Sequence, residues 1–431
     1  MLLASCGDSN NSIDELESKM NKTAEAYVKL ILQIGLFDPA YVDAYYGPEE
    51  WLPEDDYDET KKDSVLNSID SKINILLDDL DNLVGYSATD LLTLRYRYLY
   101  KQLLAAKAKV FMLRGGEFSF DAEAKNLYDA DPPEYDSLYF QNILGKIDSI
   151  LPGEGNLYNR LIAFREKFII PENKLDTVFR TAIAECRKLT RQHIQLPKEE
   201  NFEVEYVKNK PWGAYNWYKG NGFSLIQVNT DLPIYIDRAI DLAAHEGYPG
   251  HHVYNLLLEN KLVKEKGWVE YSVYPLYSPQ SLIAEGTANF GIQMIFPEDS
   301  RLEYEKNILF PLAGLDPSFA DEYYAITGLL DRLSYSVNEA ARNYLNGRWN
   351  REQTVQWLKK YALESDERAE KTMSFIETYR SYVINYNLGK DLVKEYIGRK
   401  SMNRIEDRWK NFEFLISTPQ TPSGLIFHEE N

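Results

Sequence analysis

The chain has 431 residues, 44% hydrophobic and 27% charged, enough to bury a large core and, by length alone, to form two or three domains. Its 67 acidic against 48 basic residues give a formal net charge of −19, with no sustained Lys/Arg run to face phosphate, which disfavours nucleic acids and anionic lipid as partners. The 32 tyrosines, with apolar bodies and polar tips, suit helix interfaces and wet clefts, most of them as half-buried packing residues.

In chain order, the first feature is Leu3-Ala4-Ser5-Cys6, which matches a bacterial lipobox. The polar run Gly7-Asp8-Ser9-Asn10-Asn11 behind it reads as a tether, so residues 1–12 are taken as a signal remnant. A signal peptide needs a basic start and a longer apolar stretch. Lipidation at Cys6, and with it a place in the bacterial cell envelope, therefore requires a start codon further upstream. Such an anchor is the one membrane attachment expected, because no run approaches the ~20 apolar residues of a spanning helix. The second cysteine, Cys186, lies in a helical pattern and reads as a small buried hydrophobe, so no structural disulfide is expected.

Apolar periodicity predicts helices over 13–36, 60–83, 90–113, 135–150, 156–168 and 172–194. These helical hairpins carry no catalytic motif, and residues 13–195 are read as one wall of a cleft. The character changes at Leu196-Pro197. Residues 202–207 and 223–228 are β-branched and aromatic, with a Gly- and Pro-containing hairpin or loop between them, so two or three strands are expected. Their edge offers a place for an extended peptide, or they are merely an appendage. Asp231-Leu232-Pro233 then opens the helix bearing the main motif, and further helices are expected over 280–294, 317–346, 351–362, 366–386, 388–398 and 401–414. Residues 196–431 are read as the metal-bearing half of one integrated unit, mainly α in fold class.

The motif is Ala244-His245-Glu246-Gly247-Tyr248-Pro249-Gly250-His251-His252, which holds three of the chain's five histidines. Imidazoles beside a carboxylate are what a zinc site and its general base require. In the common arrangement two histidines four residues apart share one helix face and one zinc. Here the fourth position after His245 is Pro249, which removes a helical hydrogen bond and clashes with the preceding turn. The helix must break or bulge at 248–250. Looping out two residues brings His251 to the ligand position; looping out three brings His252. In a straight helix His252 would lie two turns away, about 10 Å, too far to share an ion. His251 is preferred, with His252 as its rival. The third ligand is expected to be Glu285, the one downstream candidate carboxylate in an otherwise apolar helix, flanked by small residues.

His245-Glu246, Pro249-Gly250-His251-His252 and Glu285-Gly286 with Ala288 resemble the bacterial domain-of-unknown-function family 885, similar to thermolysin-like zinc metallopeptidases. Asn338-Glu339-Ala340-Ala341-Arg342 and Tyr386-Asn387-Leu388-Gly389-Lys390 resemble it too, while Thr287 stands where that family usually has tryptophan. The resemblance implies a two-lobed helical peptidase with a cleft between the N-terminal helices and the metal-bearing part. His245, His251 and Glu285 would bind Zn²⁺ and leave one position for water. Glu246 would take the water's proton and pass it to the leaving amine. Tyr386 is the candidate oxyanion donor by motif position, with Arg380 and Lys390 as candidates for a substrate carboxylate. The expected substrate is a peptide or small amide. The rival readings are a metal-dependent amidase acting on a cell-wall fragment and a non-catalytic helical binding lipoprotein.

Overall fold

The computed structural model describes residues 6–54, 59–83, 89–210, 212–401 and 404–426; for 6–12 and 59 it describes the backbone alone. Lipobox residues 3–5 and the Cys6 side chain lie outside the described part. Helix α1 runs Cys6–Gly35 and so takes in the polar run 7–11 that reads as a tether. Once the amphipathic stretch after Ile13 supplies the nucleus, each added turn costs little. Strand β1 (Val42–Tyr45) follows, then α2 (Lys62–Asp81), whose apolar stripe Leu66, Ile69, Ile73, Leu76, Leu77 and Leu80 is buried in full. Helix α3 (Asp90–Leu113) starts where the Thr89 hydroxyl accepts from the Leu92 amide, and Gly115 at φ 86° turns the chain away. Helix α4 (Phe120–Tyr128), capped by Ser119, was not expected. Helices α5 (Ser137–Ile150), α6 (Leu157–Arg165) and α7 (Leu175–Arg191) fall within their predicted spans.

Three strands follow: β2 (Asn201–Val207), β3 (Ala214–Tyr218) and β4 (Phe223–Asn229), in the order β2-β4-β3. β3 and β4 form the antiparallel hairpin, while β2 lies parallel to β4 on its other side. The motif-bearing helix starts later than expected, as α8 (Asp237–Leu242), widens into a π-turn over Ala243–Gly247, breaks, and restarts as α9 (His251–Leu258). Strand β5 (Val273–Pro275) then pairs antiparallel with β1. Neither strand is long enough to leave a period-2 pattern in the sequence.

Helix α10 (Pro279–Ile295) is followed by the short α11 (Ser300–Tyr304) and α12 (Phe310–Ala313). The single helix expected over 317–346 is two, α13 (Ala320–Leu333) and α14 (Tyr335–Leu345), meeting at Ser334. Helix α15 (Arg351–Tyr361) opens on a reciprocal capping box between Asn350 and Gln353. The helix expected to reach 386 stops as α16 (Asp366–Tyr379), because Arg380 takes φ 55°, ψ −122°. A tertiary contact holds that turn: Arg380 and Ser381 both donate to the buried Glu123 carboxylate of α4. Helix α17 (Ile384–Ser401) runs straight through the start expected at 388, and α18 (Ile405–Ser417) and α19 (Pro422–Leu425) complete the chain. Among the described residues the protein is mainly helical with two small sheets. Among the described residues no helix is long and apolar enough to cross a membrane.

One contiguous apolar core extends from Leu16 to Leu425. Helix α10 lies within it, buried along nearly its whole length. It crosses α17 at a glycine pair: a Cβ on Gly286 would come within 2.4 Å of the Gly389 carbonyl, and one on Gly389 within 2.7 Å of the Leu282 oxygen. The N-terminal helices are locked to the rest by Arg95 of α3. Its guanidinium donates to both oxygens of Glu270, at 2.6 and 3.0 Å, and stacks 4.5 Å from the Trp268 ring centroid.

Candidate metal centre

The broken helix follows from the chemistry of three residues. In the π-turn the Tyr248 amide reaches back five residues to the Ala243 carbonyl, at 3.0 Å. Pro249, after a cis peptide bond, has no amide to donate. The Gly250 amide then bonds the Ala244 carbonyl at 2.9 Å, and its own carbonyl begins α9 by accepting from Tyr254. Glycine is required at 250 by proximity: a Cβ there would lie 1.9 Å from the His245 carbonyl oxygen. Gly250 lies at φ −75°, ψ −137°, outside the left-handed region, and what it supplies is space. Gly291 of α10 makes room for the Pro249 ring, which a Cβ would meet at 2.9 Å.

The break turns His251 toward His245 and toward Glu285 of α10. The two Nε2 atoms are 3.1 Å apart, and Glu285 Oε2 lies 3.3 Å from that of His245 and 3.7 Å from that of His251. The three donor atoms lie within 4.8 Å of one another, so the side chains can close on a single cation.

Each is held from behind. The Asn289 amide donates to the Tyr386 carbonyl, so its oxygen must accept from His245 Nδ1 at 3.0 Å, which leaves the His245 Nε2 lone pair facing the centre. The Tyr382 hydroxyl donates to Glu285 Oε1 at 2.9 Å, while Oε2 is buried with no hydrogen-bond partner. A buried carboxylate oxygen left unsatisfied costs free energy unless a cation meets it.

The local field agrees. Burial pulls the His251 imidazole down, but Glu285, Glu246 and Asp43 more than reverse this and push it up to about 9. Burial by itself would raise Glu285, yet His251 and His245 hold it well below the usual carboxylate range. Two nitrogens and one carboxylate oxygen, a spare oxygen lone pair and a negative surround fit a divalent metal.

The rival ligand His252 turns the other way. Fully buried, it bonds Ser224 Oγ through Nδ1 at 2.8 Å and Glu200 Oε2 through Nε2 at 3.0 Å. Glu200 also accepts from Tyr248, Arg187 and Arg191, so His252 belongs to a polar cluster that ties α7, β4 and the motif loop together.

Glu246, buried in the π-turn, lies near enough for its charge to act on His251, Asp43 and Tyr386. β3 is bonded to the same turn, Asn216 Nδ2 donating to the Glu246 carbonyl at 2.6 Å. Tyr386 keeps part of its ring exposed and packs 5.7 Å from the Tyr382 ring. Burial of its hydroxyl, together with Glu285 and Glu246, pushes its pKa well above the ordinary value, so it remains a donor.

Arg380 and Lys390 are committed elsewhere, Arg380 to Glu123 at 2.7 Å and Lys390 to Asp331 at 2.5 Å. These pairs remove the basis for assigning either to a substrate carboxylate.

Three residues at the centre were not foreseen. Asn289 follows Glu285 by one helical turn, a spacing that marks it as sharing that face. Tyr382 reaches Glu285 only because α10 and α17 cross closely. Asp43 arrives from β1, and its one trace in the sequence is a lone carboxylate within Tyr41-Val42-Asp43-Ala44-Tyr45.

No family model matches the chain, and no curated protein matches it either. Among solved structures it is similar to a candidate lipoprotein from Colwellia psychrerythraea, with a TM-score of 0.54 and 15% identity over 87% of this chain and 70% of that one. It is also similar to the Apo-Mg form of a Pyrococcus furiosus carboxypeptidase, with a TM-score of 0.46 and 11% identity over 94% of this chain and 90% of that one. The first likeness establishes a shared fold; the second is too loose to carry more.

Proposed function

We propose that the protein is a zinc-dependent peptidase of the type resembled by family 885. The observation that carries this reading is the convergence of His245 Nε2, His251 Nε2 and the unpartnered Glu285 Oε2, with Glu246 beside them. Two imidazoles and a carboxylate favour zinc over a hard, oxygen-seeking ion such as magnesium. Bound there, zinc would act as a Lewis acid on the scissile carbonyl and make water acidic enough to lose a proton near neutral pH.

The chain's own groups supply the proton traffic. Glu246 accepts one proton from water as its oxygen bonds to the carbonyl carbon. It then returns that proton to the leaving nitrogen as the C–N bond breaks, giving a carboxylic acid and an amine. Tyr386, held protonated by burial and by Glu285 and Glu246, donates to the oxygen on which negative charge develops. Asn289 and Tyr382 hold two of the ligands in register.

An envelope location anchored at Cys6 is proposed with it, supported by the lipobox sequence and by the fold shared with a candidate lipoprotein. The test is Glu246→Gln: zinc content by elemental analysis should stay stoichiometric, and cleavage of a peptide library should fall by on the order of 10²–10⁴-fold. Undiminished cleavage would overturn the role of Glu246. Hydrolysis of cell-wall amides in place of peptides would change the substrate class, and stoichiometric zinc without any hydrolysis would leave a binding lipoprotein.

A further inference from the structure

The β1–β5 ladder is irregular at one point. Val42 stands opposite Pro275 and Ala44 opposite Tyr274, so two steps along β1 match one step along β5 and Asp43 is the extra residue. Such a bulge re-aims the side chain of the unpaired residue and is common beside active sites. Val42 and Ala44 on either side pack against the core, Val42 against Gly35. The Asp43 carboxyl instead lies beside the centre, where burial, Glu285 and Glu246 push it up to about 7 against the pull of His251. Among the described residues no hydrogen bond or ion pair holds its carboxylate. It is outside the group of three donors that can close on one ion.

A third carboxylate beside this centre, outside the ligand set and without a partner, calls for a second cation. In a peptide whose first bond is to be cut, the α-nitrogen is two bonds from the scissile carbonyl carbon, about 2.5 Å away. A free amino terminus therefore brings an ammonium group next to the metal whenever that bond is in place. The two cations considered for gripping a substrate's carboxyl end, Arg380 and Lys390, have carboxylates of their own.

We propose that Asp43 receives the α-ammonium of the substrate, so that the enzyme removes residues from peptide amino termini. This rests on the peptidase reading above and adds to it a direction of attack. Asp43 binds and orients substrate; Glu246 does the proton transfer.

The experiment uses the full zinc-loaded chain with alanyl and leucyl p-nitroanilides and their N-acetyl counterparts, on wild type and Asp43→Asn. Wild type should favour the free amines by at least tenfold in kcat/KM. Asp43→Asn should lose most of that preference through KM, with acetylated substrates and zinc content unchanged. In a Glu246→Gln background, calorimetry should show tri-alanine binding more tightly than N-acetyl-tri-alanine, and Asp43→Asn should erase the difference.

Equal cleavage of free and acetylated substrates by wild type overturns the proposal and leaves the peptidase intact. So does an equal loss on both in the variant. A drop in zinc content in Asp43→Asn makes Asp43 a metal ligand and overturns it as well. If the zinc-replete protein cleaves no peptide at all, the peptidase reading itself has failed and this one goes with it.

Discussion

Adjacent histidines with opposite assignments give the sharpest contrast at the scale of single residues. His251 presents Nε2 to the His245–Glu285 pair, while His252 is enclosed between Ser224 and Glu200. Their substitutions should therefore differ in kind. His251→Ala removes a donor atom, and the purified protein should lose its stoichiometric zinc. His252→Ala should keep zinc but strip a partner from the buried Glu200 and Ser224, at a cost of about 1–3 kcal/mol read from denaturant unfolding. Zinc loss in His252→Ala with retention in His251→Ala would reverse the ligand assignment. The motif histidines were legible in the sequence because Pro249 forbids the ordinary spacing. Which of them faces His245 and Glu285 was not settled by spacing, since looping out two or three residues satisfies the proline equally.

At the level of elements, the centre depends on how closely α10 and α17 approach. Glycines at 286 and 389 let the two backbones touch, and this brings Tyr382 to Glu285 and the Tyr386 carbonyl to Asn289. Gly389→Ala places a methyl group 2.7 Å from the Leu282 oxygen and 3.1 Å from the Gly286 Cα. The expected result is a loss of about 1–3 kcal/mol from overpacking, together with lower kcat as α17 moves away. Gly398 on the same helix has open space where its Cβ would be, so Gly398→Ala should leave activity unchanged and stabilise the helix by about 0.5–1 kcal/mol. Equal behaviour of the two variants in thermal melts would argue against a close crossing. The period of α2 was readable because the six apolar positions of its stripe, Leu66 to Leu80, repeat at three- and four-residue spacing and are buried. The end of α16 was not, because Arg380 is held in a left-handed turn by Glu123, a residue far away in sequence.

Across the whole molecule, the N-terminal helices and the part that carries the histidine motif share one core and one fully buried ion pair. Arg95 has three partners there: Glu270 takes two of its donors, Asn21 a third, and Trp268 covers its face. Removing the acid leaves a guanidinium in an apolar interior. Glu270→Ala should thus cost about 3–5 kcal/mol, measured by chemical denaturation as a shift of a single transition. Two separated transitions would mean that the halves unfold independently. The same union lets β1, from the N-terminal half, deliver Asp43 to a centre built by the other half.

The sequence by itself determined the helical character, the clustering of metal-ligating residue types in the His245–His252 motif, the need for a break at Pro249, and Glu285 as the carboxylate in an apolar helix. These are local properties: periodicity, the missing amide of proline, and the cost of a buried charge act within a few residues. Tertiary structure alone turned His251 toward His245 and Glu285 and His252 away from them, committed Arg380 and Lys390 to other partners, brought Tyr382 and Asn289 behind Glu285 and His245, and placed the bulged Asp43 near His251. Each of these depends on contacts between segments far apart in the chain. Such contacts are set by how whole elements pack, and no local pattern encodes them.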